Sequence, residues 1–446
     1  MRYSLPLSIL TLSSLLSACG FEPVTTISTF ATDSAAQAEM VGLSHGEYVA
    51  RLGNCVACHT TEDGAPLAGG LKMNVPLLGN IYTTNITSDL ETGIGNYSFT
   101  DFDRAMRLGQ TKDEHRMYPA MPYTSYAKMS EQDMRALYDF LMTEVEPVQQ
   151  TNLPAEIPFW KDVRWAMSIW NLMAHDAGPY QIANDQDDAW NRGAYLIEGL
   201  GHCGACHTPR GLILQEKGLD SSDDDFLAGA PLDFWSASPL HGNNLTGRGR
   251  WEIEDHEEFL LTGRNRFGTA AGTMVEVINN STGHMSDIDV NAMAVYLNSF
   301  PASEDEGEFV YDDTETQRLL NLDFSSQGAQ IYYEYCSNCH VTSGNGYYPY
   351  QPTLAGNPGV LDPDPSSLIN LTLNGSLRLV SSEGPVTTDM PYFRLLLNDQ
   401  QIVDVLTYVR SAWGNSASSI RVEDVAKIRA ATDPTQNDDI FVLRMK

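Results

Sequence analysis

The run Cys-x-x-Cys-His occurs three times in this chain, and nothing else in the sequence limits the fold as tightly. The runs are Cys55-Val56-Ala57-Cys58-His59, Cys203-Gly204-Ala205-Cys206-His207 and Cys336-Ser337-Asn338-Cys339-His340. Together they take six of the seven cysteines. A repeated unit fixes architecture more firmly than local propensity does, so the surroundings of each run come next. Ahead of each lies a short helical pattern with a glycine at nearly constant distance: Gly46 with Tyr48 and Val49, Gly193 with Tyr195 and Leu196, Gly328 with Ile331 and Tyr332. A glycine there lets another helix approach closely.

Downstream of each run a second helix opens on a polar cap, in Ser130-Glu131-Gln132-Asp133, Ser286-Asp287-Ile288-Asp289 and Asn398-Asp399-Gln400-Gln401. Apolar residues follow at helical spacing: Met134, Leu137 and Leu141, then Val290, Met293 and Leu297, then Ile402, Val405, Leu406 and Val409. An aromatic falls ten places after each cap, as Phe140, Tyr296 and Tyr408. The first two middles also match. Thr84-Asn85-Ile86-Thr87 and Asn244-Leu245-Thr246 each precede a Gly-x-aromatic, and an acidic amphipathic helix then ends near Gly109 or Gly263. The third middle is shorter and Pro-rich, which predicts a tighter loop.

Each repeat reads as a leading helix, the Cys-x-x-Cys-His run, a looping middle and a closing helix that packs back on the first. This resembles the class I cytochrome c fold, and the expected fold is mainly α: three tandem class I cytochrome c domains joined by linkers. The expected division is domain 1 at 42–150, a connector at 151–188, domain 2 at 189–302, an acidic linker at 303–320, domain 3 at 321–415 and a C-terminal tail at 416–446 with a helical segment around Val422 to Ala430. The connector holds Trp160, Trp165 and Trp170, so it should be packed rather than floppy.

Before domain 1, residues 1–18 carry one basic residue, Arg2, and an apolar stretch from Leu5 to Leu16 too short to span a bilayer, the layout of a secretory signal. It ends in Leu16-Ser17-Ala18-Cys19, which resembles a bacterial lipobox. Cys19 is thus the expected lipid anchor, residues 19–41 a flexible spacer, and the protein an exported, membrane-anchored lipoprotein facing the periplasm. No later stretch is apolar enough for a transmembrane helix. A formal charge of −31 argues against nucleic acid as a partner.

In an exported chain, paired thiols at this spacing form thioethers with haem vinyl groups, and the adjacent histidine reaches the iron. The expected cofactors are three covalently bound haem c, attached by Cys55, Cys58, Cys203, Cys206, Cys336 and Cys339, with His59, His207 and His340 as proximal ligands. Position within the repeat selects the sixth ligand among sixteen methionines. Met390-Pro391-Tyr392 lies just ahead of the third closing helix, and Met121-Pro122-Tyr123 has the same form in the first repeat, where Met117 and Met129 fit less well. The second repeat has no Met-Pro. Met274 is chosen there over Met285, with His241, His256 and His284 as open alternatives. Methionine ligation favours ferrous iron, and a six-coordinate iron leaves no place for a substrate. No dinucleotide fingerprint, phosphate loop or nucleophile elbow is found, so no catalytic residue is assigned.

The mature chain resembles the triple-haem cytochrome c subunit of bacterial membrane-bound dehydrogenases that oxidise alcohols, gluconate, sugars or aldehydes. The resemblance rests on Glu91-Thr92-Gly93-Ile94-Gly95-Asn96, Tyr118-Pro119-Ala120-Met121-Pro122-Tyr123, Cys206-His207-Thr208-Pro209-Arg210 and Leu406-Thr407-Tyr408-Val409-Arg410, among other strings. It implies a dehydrogenase large subunit holding flavin, pyrroloquinoline quinone or molybdopterin, with quinone or a terminal oxidase as acceptor. It also supports Met121, Met274 and Met390 as ligands. Two other readings compete with it: a free-standing lipoprotein wire, and a multihaem peroxidase-like enzyme.

Overall fold

The structure is a computed structural model that describes residues 28–75, 78–158, 160–162, 164–303, 305–380 and 388–434. Three times the chain lays a leading helix across a closing helix. The pairs are His45–Leu52 with Glu131–Thr143, Asp188–Ala194 with Asp287–Asn298, and Gln327–Tyr335 with Asp399–Val409. The second leading helix is prolonged by a π-helical stretch over Tyr195–Leu200.

The glycine of each leading helix stands at the crossing. A Cβ on Gly46 would run into the Ala136 carbonyl and Phe140 Cβ, one on Gly193 into the Ala292 carbonyl and Tyr296 Cβ, and one on Gly328 into the Asp404 carbonyl and Tyr408 Cβ. The aromatic ten places after each cap is therefore the residue rooted opposite the glycine. The caps act as their residue types require: Ser130, Ser286 and Asn398 accept from the N–H groups of Asp133, Asp289 and Gln401. In the middles, Phe99–Leu108 starts on a Ser98–Asp101 capping box and Ile253–Thr262 on a Glu252–Asp255 box. Both helices end on a left-handed glycine, Gly109 or Gly263. Among the described residues, three short two-stranded hairpins complete a fold that is mainly α.

The first two repeats share one core, in which Tyr48, Val49, Met134 and Leu137 pack in the same cluster as Leu196, Ile197, Val290 and Tyr296. The leading helix of each is joined to the closing helix of the other by a reciprocal exchange. Tyr48 of the first repeat donates to Asp289 of the second at 2.8 Å and accepts from Ser286 N–H at 3.2 Å. Tyr195 of the second donates to Asp133 of the first at 2.5 Å and accepts from Ser130 N–H at 3.1 Å. Arg192 adds two bonds of 2.8 Å to Asp289, a fully buried pair. The third repeat has its own core around Ile331, Tyr332, Ile402, Val405 and Trp413. It meets the second through Ser236, whose N–H donates to Ser367 and whose hydroxyl donates to Asp362.

Three expected boundaries need correction. Residues 28–40 of the expected flexible spacer form a helix, Ser28–Met40, because its Ser34, Gln37 and Ala38 find buried partners: Ser34 donates to Asp133 and Gln37 accepts from Ser286. Residues 303–320 are more than a linker. Glu306 accepts from the N–H groups of Leu245 and Thr246, and the helix Thr314–Leu320 sends Leu319 into the third core. The tail helix, Val422–Ala431, belongs to the third unit, since Ile420, Val425 and Ile428 are buried in the same core and Arg429 pairs with Asp399 at 2.6 Å. In the connector only Trp170 of the three tryptophans is buried, donating to the Ile213 carbonyl, whereas Trp160 and Trp165 stand exposed; Tyr118 bonds Asp162 and Tyr123 bonds Asn171. The signal at 1–18 and Cys19 lie outside the described residues.

Candidate functional site

Each Cys-x-x-Cys-His run forms a single short helix, over Cys55–His59, Gly204–His207 and Ser337–His340, directly after its leading helix. All six cysteines are unbridged and reach the surface in part, Cys339 most of all. Burial pushes the thiols of Cys55, Cys203 and Cys336 up to about 12 and that of Cys58 up to about 11. Cys58 is raised further by Cys206, so the first two runs lie near one another. Tyr126 and His202 meet edge to face there, and both bond the Gly53 carbonyl, at 2.8 and 3.3 Å.

The three histidines are held alike. Nδ1 of His59 bonds the Thr84 carbonyl at 2.6 Å, that of His207 the Ser238 carbonyl at 2.8 Å, and that of His340 the Pro352 carbonyl at 3.0 Å. A carbonyl oxygen only accepts, so Nδ1 carries the proton and Nε2 keeps its lone pair. Burial lowers all three imidazoles, His207 to about 4, and holds them neutral. Neutral rings with a free Nε2 beside paired thiols fit haem attachment and iron ligation. A glycine with positive φ completes each cradle: the N–H groups of Gly69, Gly229 and Gly346 donate to the carbonyls of His59, His207 and His340. In the first two repeats Thr60 and Thr208 also accept from Leu67 and Leu227 N–H, each at 3.0 Å.

The methionines separate by surroundings. Met121 and Met390 are half-buried at the edges of the first and third cores. Met274 is half-buried at the start of the helix Met274–Asn280, in a small cluster with Val275, Ile278, Leu377 and Leu379. Met129 and Met285 are buried core residues. The histidine alternatives are engaged or enclosed: His241 bonds the Phe226 carbonyl at 2.6 Å, His284 bonds the Asn279 carbonyl, and His256 is buried against Trp251.

Comparison with known proteins bears on the whole chain. The cytochrome c family matches residues 44–144 and 325–413. The gluconate 2-dehydrogenase cytochrome c subunit of Pantoea cypripedii is 44% identical over 400 residues, 88% of this chain and 90% of the relative. This chain belongs to the cytochrome c subunits of dehydrogenases. Further members are the cytochrome c subunit of the quinone alcohol dehydrogenase of Gluconobacter oxydans, 40% identical over 91% of this chain and 86% of its own, and the fructose dehydrogenase cytochrome subunit of Gluconobacter japonicus, 34% identical over 96% and 90%. Membership brings covalently bound haem c and electron transfer as the function. No helix among the described residues is long and apolar enough to cross a membrane.

Sequence reasoning missed Thr84, Ser238, Pro352 and the three cradle glycines. These glycines follow their histidines by 10, 22 and 6 residues, so no fixed spacing marks them.

Proposed function

We propose that this chain is the electron-transfer subunit of a periplasmic dehydrogenase, with three haems c in three tandem cytochrome c domains. Cys55 and Cys58, Cys203 and Cys206, and Cys336 and Cys339 attach the haems. His59, His207 and His340 are the proximal ligands, and Met121, Met274 and Met390 the distal ones. The observation that carries this reading is the threefold recurrence of a neutral histidine tied through Nδ1 to a backbone carbonyl, each one following a cysteine pair. Bound haem supplies one-electron transfer. The chain's residues hold it, orient the imidazoles and set how much water reaches it. The enclosure of Met129 and Met285 in apolar cores supports Met121 and Met274 as the methionines free to turn towards iron.

Electrons enter from a large subunit carrying flavin, pyrroloquinoline quinone or molybdopterin and leave to quinone or a terminal oxidase, with Cys19 as the lipid tether. The names of the relatives support the partnership. The test is purification from native membranes. A cofactor-bearing dehydrogenase subunit should co-purify, and the isolated cytochrome should oxidise no alcohol, sugar or aldehyde with an artificial acceptor. Substrate oxidation by the cytochrome alone would overturn the reading.

A further inference from the structure

The loop after the second Cys-x-x-Cys-His run turns back on it. Arg210 and Glu216 pair across the turn as an antiparallel bridge, which brings the Glu216 side chain against the helix Gly204–His207. That side chain is only 4% exposed. Its Oε1 accepts from the Arg210 guanidinium at 3.3 Å. Its Oε2 is buried with no hydrogen-bond partner and lies 2.9 Å from where a Cβ on Gly204 would stand, the same distance as the Phe226 ring. Glycine at position 204 is what admits the carboxyl. Arg210 touches the same run, donating to the Ala205 carbonyl at 2.5 Å.

Burial raises Glu216 above the ordinary carboxylate range, while Arg210 and then Lys128 oppose the rise. The carboxyl in turn raises Cys206, so its charge is felt at the run itself. Lys128 is engaged elsewhere, with Glu198 at 2.8 Å, the Leu219 carbonyl at 2.6 Å and Asp220 at 3.7 Å. The charged and titratable groups around Glu216 are thus Arg210, Lys128 and Cys206, with Glu198 and Asp220 behind Lys128. None of them donates to Oε2. An isolated buried carboxylate is disfavoured unless something nearby supplies positive charge, and neutralises by taking a proton otherwise.

We propose that Glu216 is the proton partner of the second haem, taking up one proton as one electron arrives there and releasing it as the electron leaves. The proposal rests on the reading of Cys203, Cys206 and His207 as a haem site. The electron comes from the upstream dehydrogenase. The proton comes from water, past the part-exposed Arg210 side chain, and converts the carboxylate to a carboxylic acid. No other bond forms or breaks. Reduction lowers the charge beside Glu216 by one, which strengthens its hold on a proton, and by linkage the proton raises the reduction potential.

The test is spectroelectrochemical titration of the full-length holoprotein between pH 5 and pH 9. In the wild type, one haem potential should fall with rising pH by up to about 59 mV per unit, the one-electron equivalent of a tenfold change, between two flat limits. Glu216→Gln should remove that fall and hold the potential near its low-pH value, so that the two proteins agree at low pH and diverge at high pH. Arg210→Gln, which removes the cation opposing protonation, should move the falling region to higher pH. A Glu216→Gln protein with the wild-type fall overturns the proposal. If that variant does not assemble, an unmoved region in Arg210→Gln overturns it. Peptide mapping of the wild type separates this from failure of the underlying reading, which would leave the 203–207 peptide without haem.

Discussion

Gly193→Ala tests the helix crossing of the second repeat. The new Cβ would stand 2.7 Å from both the Ala292 carbonyl carbon and Tyr296 Cβ, and closer still to the Ala292 oxygen, where ordinary contact begins at 3.4 Å. These atoms are the backbone of the closing helix or the root of its side chain, so no rotamer change relieves them. To bring the Ala292 oxygen out to 3.4 Å the helices must part by roughly 1.4 Å, and even a gap of about 0.5–1 Å forfeits a quarter to a half of the dispersion attraction across it. Buried Leu196, Ile197, Val290 and Tyr296 lie in the core that opens. Overpacking of this kind costs about 1–3 kcal/mol, and the clash with backbone puts it at the upper end. The helix preference of alanine over glycine returns about 1 kcal/mol. The expected net loss is about 2 kcal/mol, or a fall in Tm of about 4–8 °C for a unit of roughly 250 residues. Thermal melts of the haem-loaded protein, followed by far-ultraviolet circular dichroism, provide the measurement. Gly178→Ala is the control, because its Cβ would meet only Asp176 Oδ1, at 3.4 Å. A Gly193→Ala melt indistinguishable from that control would refute the crossing.

Asp289→Ala should destabilise by about 3–5 kcal/mol in urea unfolding, because it removes the carboxylate paired with the buried Arg192 guanidinium and the acceptor of the Tyr48 hydroxyl. Replacing Arg192 and Asp289 together by apolar residues should cost much less. His256 is lowered to about 4 by burial and by Arg248, so the fold keeps it neutral while the unfolded chain protonates near 6.5. Stability should therefore be full above pH 6.5 and decline as the pH falls towards 4, by about 3 kcal/mol at most, and His256→Gln should flatten that decline in denaturant midpoints measured against pH. Met390→Ala should lower the potential of one haem while leaving covalent haem intact, and an unchanged redox titration would remove Met390 as a ligand. Cys19→Ser should move the protein from the membrane fraction to the soluble periplasm with its haem content unchanged.

Local signals in the sequence carried most of the architecture. Gly46, Gly193 and Gly328, the three caps and the aromatics ten places later all act within one helix pair, where spacing along the chain translates directly into contact. The Cys-x-x-Cys-His runs are likewise legible because their chemistry is contiguous. What escaped depends on pairing between repeats. Tyr48 and Asp289 are 241 residues apart, and Asp133 reads as a capping-turn residue until His45, Ser34 and Tyr195 are seen to converge on it. The helix Ser28–Met40 has low amphipathicity and a Ser, Thr and Ala composition, so its order comes from docking on Asp133 and Ser286 rather than from its own pattern. The histidine-binding carbonyls of Thr84, Ser238 and Pro352 are backbone groups, which no residue type announces.

That one chain carries three haems can be counted from the mass of the denatured mature protein together with its pyridine haemochrome absorbance. Three covalent haems per chain are predicted, with haem-bearing peptides spanning 55–59, 203–207 and 336–340. A mature chain carrying two haems or fewer, with any of those cysteine pairs unmodified, would contradict it.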